Sequence, residues 1–252
     1  FWSEGQPLAS VPLSHYQIAV NPSLPALPLC TLAGLLFART GAAARLGALF
    51  AALFGNGVGG TAIAAAVLCS FFTAFTGGSG VTILALGGLL LPLLTKAGFP
   101  EQRGISLVTS ASALGVLLAP SVPLIMYAII ARVPINTMFL AGVLPAVVMV
   151  VFLLLAGGYL RRGKLAVPAL TQPHDFAAVW PALRAAKWEL LAPMVAIGSL
   201  VSGIATPTES AALTAAYAVL TQALAHRELD WAHIRAALVD CAEVIGGIMV
   251  IL

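Results

Sequence analysis

Apolar residues run through this chain in long stretches separated by short polar punctuation, and the stretch lengths are those of membrane helices. After a polar opening at 1–22, an apolar run from Ser23 to Ala38 reads as a first span, closed by Arg39. Residues 42–54 form a short apolar helix carrying Arg45, expected near the membrane interface, so 23–57 comprise a span and an interfacial helix. Two apolar arms follow, 58–76 and 79–95, separated only by Gly77-Gly78. The run at 104–131 would measure roughly 42 Å as one helix. Gly115, Pro120 and Pro123 interrupt it, because proline removes an amide donor and glycine is permissive. The pattern predicts a hairpin plus a broken helix over 58–131, and one more span over 132–160.

A basic loop at 161–187 contains Phe176, Val179, Trp180 and Leu183 at helical spacing, which predicts an interfacial amphipathic helix. Residues 188–225 are too long for one span and read as two, with a tight turn at 204–209. Residues 226–235 are polar, and a last apolar helix begins near Ile234. The chain opens at Phe1 without Met and stops inside an apolar run, so it is expected to be a piece of a longer polypeptide.

Composition removes the soluble alternatives. The 252 residues are 60% hydrophobic and 8% charged, with mean hydropathy +1.03, whereas a soluble domain carries roughly 25% charged residues. A net charge of +3 and pI near 9.0 raise the question of nucleic acid. The basic residues form no stripe with interleaved aromatics, and they sit in loops beside apolar segments. Counting crossings puts Arg39, Arg45, Lys96, Arg103, Arg161, Arg162, Lys164, Arg184, Lys187, Arg227 and Arg235 on one side, with Arg132 alone opposite. The basic side is therefore cytoplasmic and residues 1–22 extracytoplasmic, with Phe1, Trp2 and Tyr16 suited to the interface. Cys30, Cys69 and Cys241 show no CxxC or Cys/His spacing, so buried thiols are expected and no transition-metal site.

The candidate chemistry lies at the two breaks. Irregular backbone at membrane depth is tolerated where protein or a watery cavity satisfies it, and discontinuous helices often hold ions and substrates. Thr76, Ser79 and Thr82 bring hydroxyls to the hairpin, and Ser121 brings one to the broken helix. No Asp or Glu is near either break, so a cation there would use neutral oxygens, which suits a monovalent ion. Segment length leaves open whether 58–95 is re-entrant or two full spans. Thr206, Pro207 and Glu209 match a capping box, with a coupling role for Glu209 as the alternative. Asp240 and Glu243 are expected near the interface. Gly77-Gly78-Ser79-Gly80 loosely matches a membrane serine protease, but His15, His174, His226 and His233 all fall in loop or interfacial positions, away from Ser79. No Arg or Lys is placed within a full span to announce an anion.

Four stretches, Phe75–Thr82 (FTGGSGVT), Leu114–Ile125 (LGVLLAPSVPLI), Phe139–Pro145 (FLAGVLP) and Gly203–Ala211 (GIATPTESA), in this order and spacing, resemble the large membrane subunit of TRAP transporters, the DctM type. The similarity covers nearly all of 23–252. It implies an all-α integral membrane fold: a multi-span helical bundle forming half of an inverted-repeat, elevator-type transporter. It further implies a sodium site built from Thr76, Gly77, Gly78 and Ser79 with Gly115, Leu118, Pro120 and Ser121, and substrate contacts at Ser79, Thr82 and Ser121. Small carboxylates would arrive from a periplasmic binding protein, beside a small membrane subunit, separate or fused, in the bacterial inner membrane. The family's second hairpin and broken helix would follow the last span, and its earliest scaffold spans would precede the first. The tip reads GGSG where relatives have a more serine-rich turn.

Overall fold

A computed structural model describes residues 10–55, 57–159 and 179–251, and these are helical almost throughout. In chain order the helices are α1 (Ser10–Ala19), α2 (Ala26–Arg39), α3 (Ala42–Phe54), α4 (Val58–Thr76), α5 (Ser79–Lys96) and α6 (Glu101–Leu114). They continue as α7 (Val122–Ala131), α8 (Ile135–Ala156), α9 (Val179–Val201), α10 (Pro207–Leu220) and α11 (Trp231–Ile251). A 3₁₀ turn over Gly115–Leu117 leads out of α6, and a wide π turn over Thr221–Ala225 extends α10. The protein is an all-helical integral membrane protein. Its exposed side chains include Leu140, Leu144, Val147, Phe152 and Leu155 along α8, a surface suited to lipid and costly in water.

Most of the core lies around α4. Phe72 and Phe75 on α4, Leu35 and Leu36 on α2, Leu46 and Leu49 on α3, Leu86 and Leu94 on α5, and Leu107 on α6 are all essentially inaccessible. A second cluster joins the beginning of α2 to the facing ends of α7, α8, α9 and α10 through Leu27, Ile129, Ile135, Leu200 and Ala211. This core wraps α4 and fixes where its C-terminal end can lie.

Two expectations change. The first span is a helix of 14 residues, about 21 Å long against a hydrocarbon core of about 30 Å. It turns by 75° at Thr40-Gly41 into α3. Helix α3 buries one face, through Ala42, Leu46, Leu49 and Phe50, against neighbouring helices and leaves Leu53 and Phe54 exposed. Finally, Val179, Trp180 and Leu183 open the 23-residue α9 instead of forming a separate interfacial helix. Phe176 and the loop before it lie outside the described residues.

Candidate ion-binding site

Helix α4 ends because Gly77 adopts φ +70, the left-handed conformation that glycine takes without steric penalty. Its amide still donates to the Thr73 carbonyl at 2.8 Å. Gly78 is extended, and α5 begins at Ser79. The reversal brings Thr73 and Thr76 from the last turn of α4 against Thr82 from the first turns of α5. Thr73 Oγ1 donates to Thr82 Oγ1 at 2.8 Å, and the Thr76 and Thr82 hydroxyl oxygens are 3.0 Å apart. Both of the latter also reach the Gly78 carbonyl at 3.4 Å. All three threonines are fully buried. Ser79 is half-buried at the tip.

The interruption of the following helix lies alongside. Gly115 packs so tightly on α4 that a Cβ there would stand 2.5 Å from the Ser70 carbonyl oxygen. Leu118 turns extended, with its amide donating to the Gly115 carbonyl at 3.1 Å. Ser121 then takes the N-cap position of α7, with Pro123 in the first turn. Its hydroxyl is fully buried and has no hydrogen-bond partner among the described residues. The two breaks touch: a Cβ on Gly77 would lie 2.6 Å from Val122 Cβ. The hairpin apex thus meets the middle of the α6–α7 stretch, although each arm alone is long enough to cross a bilayer. Pro120 instead lines a narrow cleft with Cys30, Phe139, Ser210 and Thr214.

The electrostatics follow from four helix ends. The C-terminal ends of α4 and α6 offer negative dipole and carbonyls, whereas the N-terminal ends of α5 and α7 offer positive dipole and amides. No charged residue is near the meeting point in sequence, the nearest being Lys96, Glu101, Arg103 and Arg132. Among the described residues no His, Cys, Asp or Glu group is arranged to hold a metal ion. Such a place can exchange the hydration shell of a small monovalent cation for neutral oxygens, and can offer amides to an anion beside it.

Thr206, Pro207 and Glu209 are elsewhere. The Thr206 amide and hydroxyl donate to Glu209 Oε2 at 2.7 and 2.8 Å, and the Glu209 amide reaches Thr206 Oγ1 at 3.4 Å. That is a complete capping box on an exposed corner. Thr208 ties the corner to the Pro22 carbonyl at 2.6 Å. Sequence reasoning missed Thr73, which lies inside an apolar run and faces Thr82 only once the hairpin closes. It also missed Glu189, a buried carboxylate paired with Arg45.

Comparison with known proteins gives this arrangement a family. Residues 11–252 match the DctM component of tripartite ATP-independent periplasmic transporters. The chain is 29% identical to the C4-dicarboxylate TRAP transporter large permease protein DctM of Rhodobacter capsulatus, over 98% of this chain and 59% of that protein. It is 30% identical to the isethionate TRAP transporter permease protein DctMQ of Oleidesulfovibrio alaskensis, over 90% of this chain and 36% of that one. With the ectoine TRAP transporter large permease protein TeaC of Halomonas elongata it shares 34% over 82% of this chain and 48% of the relative. The chain thus spans about half the length of the curated relatives it matches. These relatives are transporter permeases and not enzymes, and a match over nearly every residue places the chain in the DctM family of TRAP transporter large permeases.

Proposed function

We propose that this chain is the hairpin-and-broken-helix half of a sodium-coupled permease that imports small carboxylates across the bacterial inner membrane. The observation that carries the reading is the buried Thr73–Thr76–Thr82 hydroxyl cluster at a hairpin whose Gly77 meets Val122 of the second break, where the neighbouring Ser121 hydroxyl is fully buried without a partner among the described residues. A nest of neutral oxygens, with the C-terminal ends of α4 and α6 beside it, suits sodium, and no carboxylate or imidazole that could take a proton is near either break in sequence. Thr76, Gly77, Gly78 and Ser79 from the hairpin, with Gly115, Leu118, Pro120 and Ser121 from the broken helix, are the proposed ion-site residues. Ser79, Thr82 and Ser121 are the proposed substrate contacts. Relatives are named for C4-dicarboxylate, isethionate and ectoine. A small polar organic solute is the coarse class, and a small carboxylate is our choice within it. A periplasmic binding protein would deliver the solute, and a small membrane subunit would accompany this one. A relative named DctMQ is compatible with that subunit being fused. Sodium binding would hold the hairpin on the broken helix, and the two would then cross as one body.

The test is uptake by the intact transporter in proteoliposomes, with its binding protein and small subunit, with and without an inward sodium gradient. The expected outcome is uptake only with the gradient, and a sodium half-saturation raised about tenfold or more in Ser121→Ala, equivalent to about 1.4 kcal/mol of lost ion binding. Sodium-independent uptake that Ser79→Ala and Ser121→Ala leave unchanged would remove the reading.

A further inference from the structure

Polar chemistry also gathers at the end of the molecule away from the basic loops, and the hairpin does not use it. A hollow of about 450 Å³ opens there between the last turn of α7, the start of α8, the end of α9 and the turn leading into α2. That volume lies within the roughly 300–1,000 Å³ of pockets that take small molecules. The polar part of its lining is Asn21, Ser23, Arg132 and Asn136, and no Asp or Glu is among the described residues that line it.

Arg132 is the single basic residue that the crossings place on the extracytoplasmic side. It closes α7 in the left-handed conformation, φ +55, which glycine would take more easily. Its guanidinium donates to the Gln17 side chain on α1, and it has no carboxylate partner among the described residues. Glu209, the carboxylate of the α10 corner, is turned back onto Thr206. The two asparagines are oriented alike. Asn21 Oδ1 accepts from the Ser23 amide at 2.9 Å, and Asn136 Oδ1 accepts from the Thr137 amide at 2.8 Å. With both oxygens committed to backbone, each carboxamide has its N–H donors left to offer. The lining therefore presents donors and one positive charge, the complement of an anion.

The hollow has an inner continuation. Ile135, Leu200 and Pro207 line both it and the narrow cleft that reaches Pro120, beside Ser121. That cleft holds about 10 Å³, room for about one water and too little for an organic solute. It is a closed neck, with α7 and α8 on one side and α2, α9 and α10 on the other.

We infer that the hollow is an outer binding site for a small organic carboxylate, held by the charge of Arg132 and the amide hydrogens of Asn21 and Asn136. The carboxylate rests on the transport reading above, and the anionic class on the lining alone. The solute waits at this mouth and approaches Ser121 only when the neck widens. A guanidinium and two amides at an open mouth bind weakly, with a dissociation constant on the order of 1 mM, and salt screens the attraction.

The experiment is a ligand-observed NMR titration of succinate onto the intact permease with its small subunit in detergent, without binding protein and with potassium replacing sodium. Succinate should bind saturably, and more weakly as ionic strength rises. Arg132→Gln should raise the dissociation constant about tenfold or more. Asn136→Asp should do likewise, because it keeps an oxygen for the Thr137 amide but turns an amide donor into a repelling carboxylate. Gln17→Ala should stay within about twofold of wild type, since it frees Arg132 from α1 and leaves the charge in place. No saturable binding in the wild type, an unchanged constant in Arg132→Gln, or a Gln17→Ala that copies Arg132→Gln would each overturn the site. Should Arg132→Gln not fold, Asn136→Asp decides. Sodium and transport are absent from this assay. Sodium-independent uptake would thus remove the coupling reading and leave the site standing, whereas failure of succinate binding would leave gradient-driven uptake untouched.

Discussion

The break before α7 and the turn before α10 are built from the same local grammar yet end in opposite states. Each places a hydroxyl residue at the N-cap with proline close behind, Ser121-Val122-Pro123 in one and Thr206-Pro207 in the other. At the second corner Glu209, three residues on, reaches back and closes the capping box. At the first, the residue in that position is Leu124, which has nothing to offer, and Ser121 stays buried and unpaired among the described residues. One corner satisfies itself and faces outward. The other keeps its polar capacity in reserve inside the protein, where an unmet hydroxyl is costly unless something else meets it.

The largest effect that would break this contrast comes from Gly115→Ala. Backbone atoms of Ser70 stand where the methyl would go, and backbone cannot rotate away. We expect a loss of about 2–3 kcal/mol in stability together with loss of ion-driven uptake, read by thermal melting and transport. Next comes Thr206→Ala, which should cost about 1 kcal/mol through the lost cap while leaving the sodium dependence of uptake intact. If Thr206→Ala shifted the sodium requirement, the two corners would not be separate in function. A smaller effect belongs to Asp230, which accepts from the His233 amide at the start of α11. That amide holds the Asp230 carboxyl below its ordinary value of 3.8. Its contribution is therefore present above the unfolded value and lost as pH falls through the folded one. Asp230→Ala should melt slightly below wild type at neutral pH, and the gap should close in acid. The smallest stability effect is that of Ser121→Ala, within about 0.5 kcal/mol of wild type. A marked destabilisation there would mean that its hydroxyl is already engaged in the fold.

Helix ends were the legible part of this protein. Gly77-Gly78, Pro120, Pro123 and the Thr206–Glu209 box declare themselves through backbone rules that act within a few residues, and so Thr76, Ser79, Thr82 and Ser121 could be named as neighbours of breaks. Partnerships across the chain were not legible. Arg45 and Glu189 are 144 positions apart, each looks like an ordinary interfacial charge in its own neighbourhood, and only packing shows that they pair. Thr73 failed for a related reason, because a threonine in an apolar run hydrogen-bonds unremarkably to its own helix until a hairpin turns another toward it. The bend between α2 and α3 was hidden as well. Arg39-Thr40-Gly41 reads as the end of a span, and nothing local states whether the chain then lies along the membrane or folds back into the core.

The wide turn at Thr221–Ala225 carries a further consequence. The His226 amide bonds to the carbonyl of Thr221, five residues back, where an α-helix would bond four back. That inserted residue advances everything after it by about 100° around the helix axis, and it allows Gln222 to face Arg45 while His226 faces Glu189. The cluster is in this sense a matter of phase as well as composition. A chain with the same side chains and one residue fewer in the turn would point its imidazole away from Glu189, so length in this short segment is under as tight a constraint as identity.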